Sequence, residues 1–253
     1  MALGVEASGV ISALGDDIAG WAVGDEVMAH PVPLRDQGAW SKQLIAEGDL
    51  LAPKPASVSW EEAGAFPVPA LTAYQALEEA IGPDAHDDRL LVAGAGGVTG
   101  RLVVGLARLR GIPVIATAGP HSVDALSSLG VDTVLDYHDD RWPQIARELT
   151  GGRGVTAAVN ATRGEERTVL STVADGGRLA TITGLPPEPE RGVTIADVYV
   201  HADGEQLRHL AAALGRHQVG LSIGARYDLA QASEALDLAR RGAAGGAVVL
   251  TAS

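Results

Sequence analysis

The spacing of apolar positions changes twice along the chain. From Val5 to about Pro69 they come in short β-like runs broken by turn residues, at 9–12, 24–27, 40–45 and 50–53. Runs of that length and punctuation predict a small, mostly β unit. Ser59 followed by Glu62 has the spacing of a capping box, and it predicts a short helix that ends before the breakers Pro67 and Pro69. A second helix is expected at about 70–80. From Arg89 to about Val200, strand patterns at 90–93, 113–117, 133–135, 155–159 and 178–183 alternate with helical ones at 98–110, 122–129, 142–149 and 165–173. That alternation implies βαβ units and a parallel sheet, so the fold class is α/β. A helix ending at 215, a short strand, a helix at 230–241 and a strand at 247–250 close the chain. The expected division is 1–73 with 217–253 against 74–216.

The most informative segment is Leu90-Leu91-Val92-Ala93-Gly94-Ala95-Gly96-Gly97-Val98-Thr99-Gly100, a strand running through glycines into an apolar helix. In a Rossmann-type dinucleotide site the first glycine makes the tight turn and the second lets the backbone approach a pyrophosphate. The helix N-terminus then offers free N–H groups to the anion. Gly94 and Gly96 fit, but the third glycine position holds Thr99, with Gly100 one residue later. The plain alternative is that these glycines only allow close packing of helix on sheet. NAD-preferring sites carry an acid about 20 residues on, at the end of the second strand. Here that strand runs into Thr117-Ala118-Gly119-Pro120-His121 with no acid, so NADPH is expected over NADH. His121 is a candidate for the 2′-phosphate, its alternative being a solvated helix-start residue.

Composition narrows the classes of partner. With 19 Lys and Arg against 32 Asp and Glu, the 253 residues carry a net charge of −13, which repels nucleic-acid phosphates and anionic membranes. A small-molecule partner is expected, not nucleic acid or a membrane. No run of about 18 apolar residues and no signal-peptide pattern is present, which makes the cytoplasm the default location. The absence of Cys removes disulfides, thiolate zinc sites and cysteine nucleophiles together. His201, His209 and His217 are eight apart, about 80° and 12 Å per step on one helix, so they cannot share a metal. No metal site is expected.

The order of motifs resembles the medium-chain dehydrogenase/reductase superfamily, in its zinc-independent quinone and enoyl reductase branch. The matching stretches are 3–10, 23–27, 71–77, the glycine motif, 129–137 and 245–250. The resemblance implies a GroES-like catalytic domain, completed by the C-terminal segment, beside a Rossmann domain. It also places Gly96, Gly97 and Val98 along the pyrophosphate, and Thr117, Ala118 and Tyr137 near the adenosine end. Thr72, Asn160 and Ala161, and Thr183 are placed near the nicotinamide. Tyr137 has a plain alternative in packing at the close of a strand. Family members begin several dozen residues before the Leu3-Gly4-Val5-Glu6 element, so the GroES-like domain is expected to be truncated and its cleft open. Its sheet edges are then expected to be covered by a second copy of the chain, as a homodimer, or by a rearranged loop.

The loop His30-Pro31-Val32-Pro33-Leu34-Arg35-Asp36-Gln37 is stiffened by two prolines, which suits shape-selective binding. His30 and Asp36 are candidates for an acid/base pair, against a bland reading as surface polar residues. Trp21, Trp40 and Trp60 are either a stacking wall or core packing. The open cleft, Thr99 and this loop together favour a non-redox step on a hydrophobic, polyketide-like molecule, such as a cyclisation, isomerisation or rearrangement, with no cofactor required. The alternative is an NADPH-dependent enoyl or quinone reductase, motivated by the glycines of the phosphate loop. A non-catalytic binding protein is the third reading.

Overall fold

A computed structural model describes residues 3–31, 37–82, 89–131, 133–242 and 245–252. The chain divides into two compact units, Met1–Leu71 with His201–Ser253, and Thr72–Val200. In the first unit, β1 (Ala7–Val10) pairs antiparallel with β2 (Glu26–Ala29), and β2 pairs antiparallel with β3 (Leu51–Pro53). Their inner faces gather Val27, Ala29 and Leu51 into a small core against which Ile11 and Trp21 pack. The apolar run 40–45 forms no strand. The Trp40 N–H donates to the Leu3 carbonyl at 2.9 Å, and the Gln37 side chain bonds both the N–H and the carbonyl of Ile45 in place of a neighbouring strand.

Ser59 caps α1 (Trp60–Ala65) by accepting from the Glu62 N–H at 3.1 Å, as its spacing predicts. The next helix, α2 (Pro67–Ile81), begins earlier than expected, with both prolines inside it. Proline is tolerated in a first turn, where its missing N–H would have had no helical partner. The Val68 N–H, one of these orphan donors, is taken up by the Glu6 carboxylate oxygen at 2.8 Å.

The second unit is a six-stranded, wholly parallel sheet. Its strands are β4 (Leu90–Ala93), β5 (Val114–Ala118), β6 (Thr133–Asp136), β7 (Val155–Asn160), β8 (Val173–Thr181) and β9 (Thr194–Asp197), in the order β6-β5-β4-β7-β8-β9. The connecting helices are α3 (Val98–Leu109), α4 (Val123–Ser128), α5 (Trp142–Glu148) and α6 (Glu166–Thr172). This is the doubly wound order, with the chain reversing direction across the sheet at β4 and β7. Leu91, Ile115, Ala158 and Leu179 of the central strands form one core with Trp142 and Val169 from the helices. The edge strand β9 was not foreseen. It is four residues long, follows the proline-rich loop, and pairs in register with Arg178–Thr181.

The chain returns to the first unit at His201, ahead of the expected 217. The reason is local: α7 (Gly204–Gly215) sends Arg208 to the carbonyl of Leu51 at 2.8 Å, and Ser57 bonds the Gly215 carbonyl at 3.1 Å. A parallel pair, β10 (Ile223–Asp228) with β11 (Ala247–Thr251), and the intervening α8 (Ala232–Arg240) complete this unit. Among the described residues no helix is long and apolar enough to cross a membrane, and no three His, Asp or Glu side chains are gathered as a metal-binding group.

Candidate functional site

The carboxyl ends of β4, β5 and β7 converge on the glycine segment. Gly94 leaves β4 with φ at +78°, a left-handed conformation that glycine adopts without steric cost. A Cβ there would stand 2.8 Å from the Thr162 methyl and 3.1 Å from the Ala161 carbonyl oxygen, so the turn lies directly on the end of β7. The Gly94 N–H donates to Thr117 Oγ1 at 3.1 Å, and the Ala95 N–H donates to the Thr117 carbonyl at 3.0 Å. Thr117 is thus a brace for the loop, fully buried, with its hydroxyl committed to protein. Ala118 is buried beside it.

Thr99 proves no defect in this loop. A Cβ at Gly100 would fall 2.3 Å from the Gly94 carbonyl oxygen, a backbone atom that cannot yield. Gly100 therefore does the work of the third glycine, close approach of helix to turn, from one residue further along. Gly97 is the N-cap of α3 and supplies no capping side chain, and no acid stands in the first turn. The first-turn N–H groups of α3, starting at Val98, have no intrahelical acceptor and carry the positive end of the helix dipole. In an otherwise acidic protein this is a local anion-seeking point.

Gly96 faces a second wall. A Cβ there would meet Ser122 Oγ at 2.7 Å and the Ala118 methyl at 3.6 Å, so glycine allows the turn to pack closely against the residues that follow β5. His121 is exposed in the turn just before Ser122. Tyr137, 52 % exposed, is not packed away at the close of β6. Its ring is tilted over the His138 ring with centroids 4.0 Å apart, and it flanks Gly119, whose Cβ would lie 3.5 Å from Tyr137 Cε1. His138 Nδ1 lies 2.7 Å from Asp136 Oδ1. That pairing, led by the His138 backbone N–H, holds the Asp136 carboxyl below the usual range.

Asn160 ends β7 opposite Ala93 and is completely buried. Its carbonyl oxygen accepts from the Thr162 N–H at 3.0 Å and from the Thr162 hydroxyl at 2.7 Å, while its amide donates to Thr181 Oγ1 at 3.4 Å. Thr181 in turn bonds the Thr183 hydroxyl at 3.1 Å, and Thr183 reaches Glu166 at 3.5 Å. A polar row thus runs from β7 to β8 beside the glycine turn. Thr162 and Thr181 belong to it and were missed. The sequence signal for Thr162 was its place two residues after an Asn that closes a strand.

The structure brings Gly94, Gly96, Gly97, Val98, Thr117, Ala118, His121, Asn160 and Thr183 to one end of the sheet, with Tyr137 beside Gly119. Thr72 sits in the second turn of α2. The expected His30–Asp36 pair is not what the structure describes. His30 is 7 % exposed, a buried residue whose Nδ1–H donates to the Val5 carbonyl at 2.6 Å, and Asp36 lies outside the described residues. Burial at the end of β2 makes this histidine a tie within the first unit.

The strand-end geometry has close counterparts in solved structures. An NAD-dependent alcohol dehydrogenase superposes over 100 % of this chain and 83 % of its own, with a TM-score of 0.88 and 28 % identity. It bears out the resemblance to the medium-chain dehydrogenase/reductase superfamily read from the order of motifs. The family profile described as zinc-binding dehydrogenase matches residues 129–250. That description belongs to the family as a whole; this chain has no Cys to offer a metal. A mycobacterial protein solved in complex with NADPH is 27 % identical, covering 98 % of this chain and 81 % of its own at a TM-score of 0.82. A trans-enoyl reductase of Alternaria alternata is 30 % identical over 78 % of this chain and 61 % of its own length. Erythronolide synthase of Saccharopolyspora erythraea is 38 % identical over 64 % of this chain but 4 % of its own length. The chain thus spans less than two thirds of these two curated relatives. The alcohol dehydrogenase and the enoyl reductase among these relatives support an oxidoreductase, the alternative raised above, better than a non-redox cyclisation or rearrangement.

Proposed function

We propose that the chain is an NADPH-dependent reductase of activated carbon–carbon double bonds, of the enoyl or quinone type. The observation that carries the reading is the loop 94–100. Its glycines at 94, 96 and 100 have no room for a side chain against the neighbouring protein, so the turn packs tightly beside an α3 N-terminus with no capping side chain, an arrangement that fits a dinucleotide pyrophosphate. When bound, the cofactor supplies a hydride. The residues of this chain would do the rest by holding and orienting. Gly96 and Val98 would offer backbone N–H groups to the pyrophosphate, while the Gly97 N–H donates to the Gly94 carbonyl at 3.1 Å and, with Thr117 behind, keeps the turn in place. The row Asn160–Thr181–Thr183 lies on the β7 side of the turn, where the nicotinamide half of a dinucleotide rests across a doubly wound sheet. Thr183, the partly exposed member, would present its hydroxyl to the ring, held from behind by the completely buried Thr181 and Asn160. The NADPH-bound mycobacterial relative and the fungal enoyl reductase support the same reading.

The test is direct. The purified chain is titrated with NADPH while cofactor fluorescence is followed, and is then given a short-chain α,β-unsaturated thioester or a quinone. Micromolar binding and substrate-dependent loss of nicotinamide absorbance are expected. No binding at millimolar NADPH would overturn the proposal.

A further inference from the structure

Arg101 stands in the first turn of α3, within an apolar helix face. Its Nε is the buried side-chain polar atom that finds no hydrogen-bond partner among the described residues. Its single described side-chain contact is a long one, Nη2 to Ser122 Oγ at 3.4 Å, and among the described residues it has no ion-pair partner. A guanidinium carries five donors, and leaving them unpaired in a partly buried place is costly. Such a group gains most from an anion with several acceptor oxygens, which can take Nε and an Nη together.

The surroundings say which anion. Ser122 closes the short turn that follows β5, and its hydroxyl packs against Gly96. In a doubly wound sheet the end of the second strand is where the adenosine ribose lies, and here it bears no carboxylate that would claim the ribose hydroxyls. We infer that Arg101, steadied by Ser122, recognises the 2′-phosphate of the cofactor and makes the chain selective for NADPH over NADH. The inference rests on the dinucleotide reading above. It assigns the role expected of His121 to an arginine from the helix instead of the β5 turn. Arg101 would leave its weak contact with Ser122 and grip two phosphate oxygens, and the hydroxyl would accompany it as a further donor.

The experiment uses fragments that lack the nicotinamide, so that it reads binding alone. Calorimetry compares adenosine 2′,5′-bisphosphate with adenosine 5′-monophosphate on the whole chain. The wild type is expected to prefer the 2′-phosphorylated fragment by at least about tenfold. Arg101→Gln is expected to bring that preference down to near parity by weakening the bisphosphate alone, on the order of tenfold. Ser122→Ala should cost about threefold. Because Arg101 is partly buried, Arg101→Lys serves as the second variant, and an intermediate preference is expected from a point charge without the fork. Equal losses for both fragments in Arg101→Gln would overturn the inference, as would an unchanged preference in either Arg101 variant. A wild type that binds both fragments equally sinks the selectivity alone. One that binds neither fragment nor NADPH removes the dinucleotide reading as well.

Discussion

In the second unit the buried polar side chains that meet at the glycine turn are uncharged, and they are hydrogen-bonded across the carboxyl ends of parallel strands: Thr117 behind the turn, Asn160 and Thr181 beside it. In the first unit two polar side chains tie down backbone groups, one of them the carboxyl of Glu6. His30 ties β2 to the Val5 carbonyl, and one residue on, Glu6 takes the orphan Val68 N–H at the start of α2. Burial pushes the Glu6 carboxyl up to about 8, with the Val68 hydrogen bond opposing it only in part. One unit therefore holds its site with dipoles that no physiological pH alters, while the other includes a carboxyl, that of Glu6, whose charge pH can change. A cofactor cradle that must present fixed dipoles is better built in the first way.

The steepest way to break the first half of this comparison is to move the turn itself. Gly100→Val would drive a side chain into the Gly94 carbonyl, and neither helix nor strand can retreat without opening the core. A loss of about 4 kcal/mol, or failure to fold, is expected in urea melts. At Gly97 a Cβ would meet the same carbonyl at an ordinary 3.5 Å, so Gly97→Ala should cost about 0.5 kcal/mol. Equal costs for the two variants would show that close approach is not what selects glycine here. Next in size, Asn160→Ala removes the acceptor of two Thr162 donors and the neighbour of Thr181. The expected cost is about 2–3 kcal/mol, and a melt matching the wild type would mean that water replaces the amide.

The same contrast explains what could be read in advance. A strand–glycine–helix signature is local, so the turn at Gly94 and the need for glycine at 96 were legible from residue order alone. The shift of the third glycine role from Thr99 to Gly100 was not, because it depends on where the Gly94 carbonyl points. Nothing in the residue order singles out Arg101, which is marked only by a buried Nε with no hydrogen-bond partner among the described residues. In the first unit the sequence misled more. Residues 40–45 have the composition of a strand, but their backbone groups are satisfied by Leu3 and by the Gln37 side chain. Pro67 and Pro69 looked like breakers and instead open α2, since the first turn is the one place where a helix accepts them. His30 is a burial effect, and nothing in the order of residues marks it as buried.

The second half of the comparison is tested by pH. The Glu6 carboxyl binds its proton more tightly folded, at about 8, than unfolded, at the ordinary 4.5. Its neutral form therefore favours folding, an advantage fully present below 4.5 and lost as pH rises towards 8. Glu6→Gln keeps an oxygen for the Val68 N–H and removes the titration. The variant should match the wild type near pH 4.5 and exceed it by about 2 kcal/mol above pH 8, a figure discounted because Glu6 is only partly covered from solvent. Parallel stability curves for the two proteins across this range would remove Glu6 as the source.

The smallest effect separates ordinary scaffolding from the features that divide the units. Ser59 caps α1 on the surface of the first unit through a single bond to the Glu62 N–H. Ser59→Ala should cost about 1 kcal/mol, the usual worth of such a cap. That cost should stay the same from pH 5 to pH 9, because the serine hydroxyl does not titrate, and it should leave NADPH affinity unchanged, because the cap belongs to the first unit and the cradle to the second. A pH-dependent cost at Ser59 would mean that the titration assigned to Glu6 spreads through α1, and the contrast between a titratable tie and a neutral scaffold would then no longer be confined to the residues that make it.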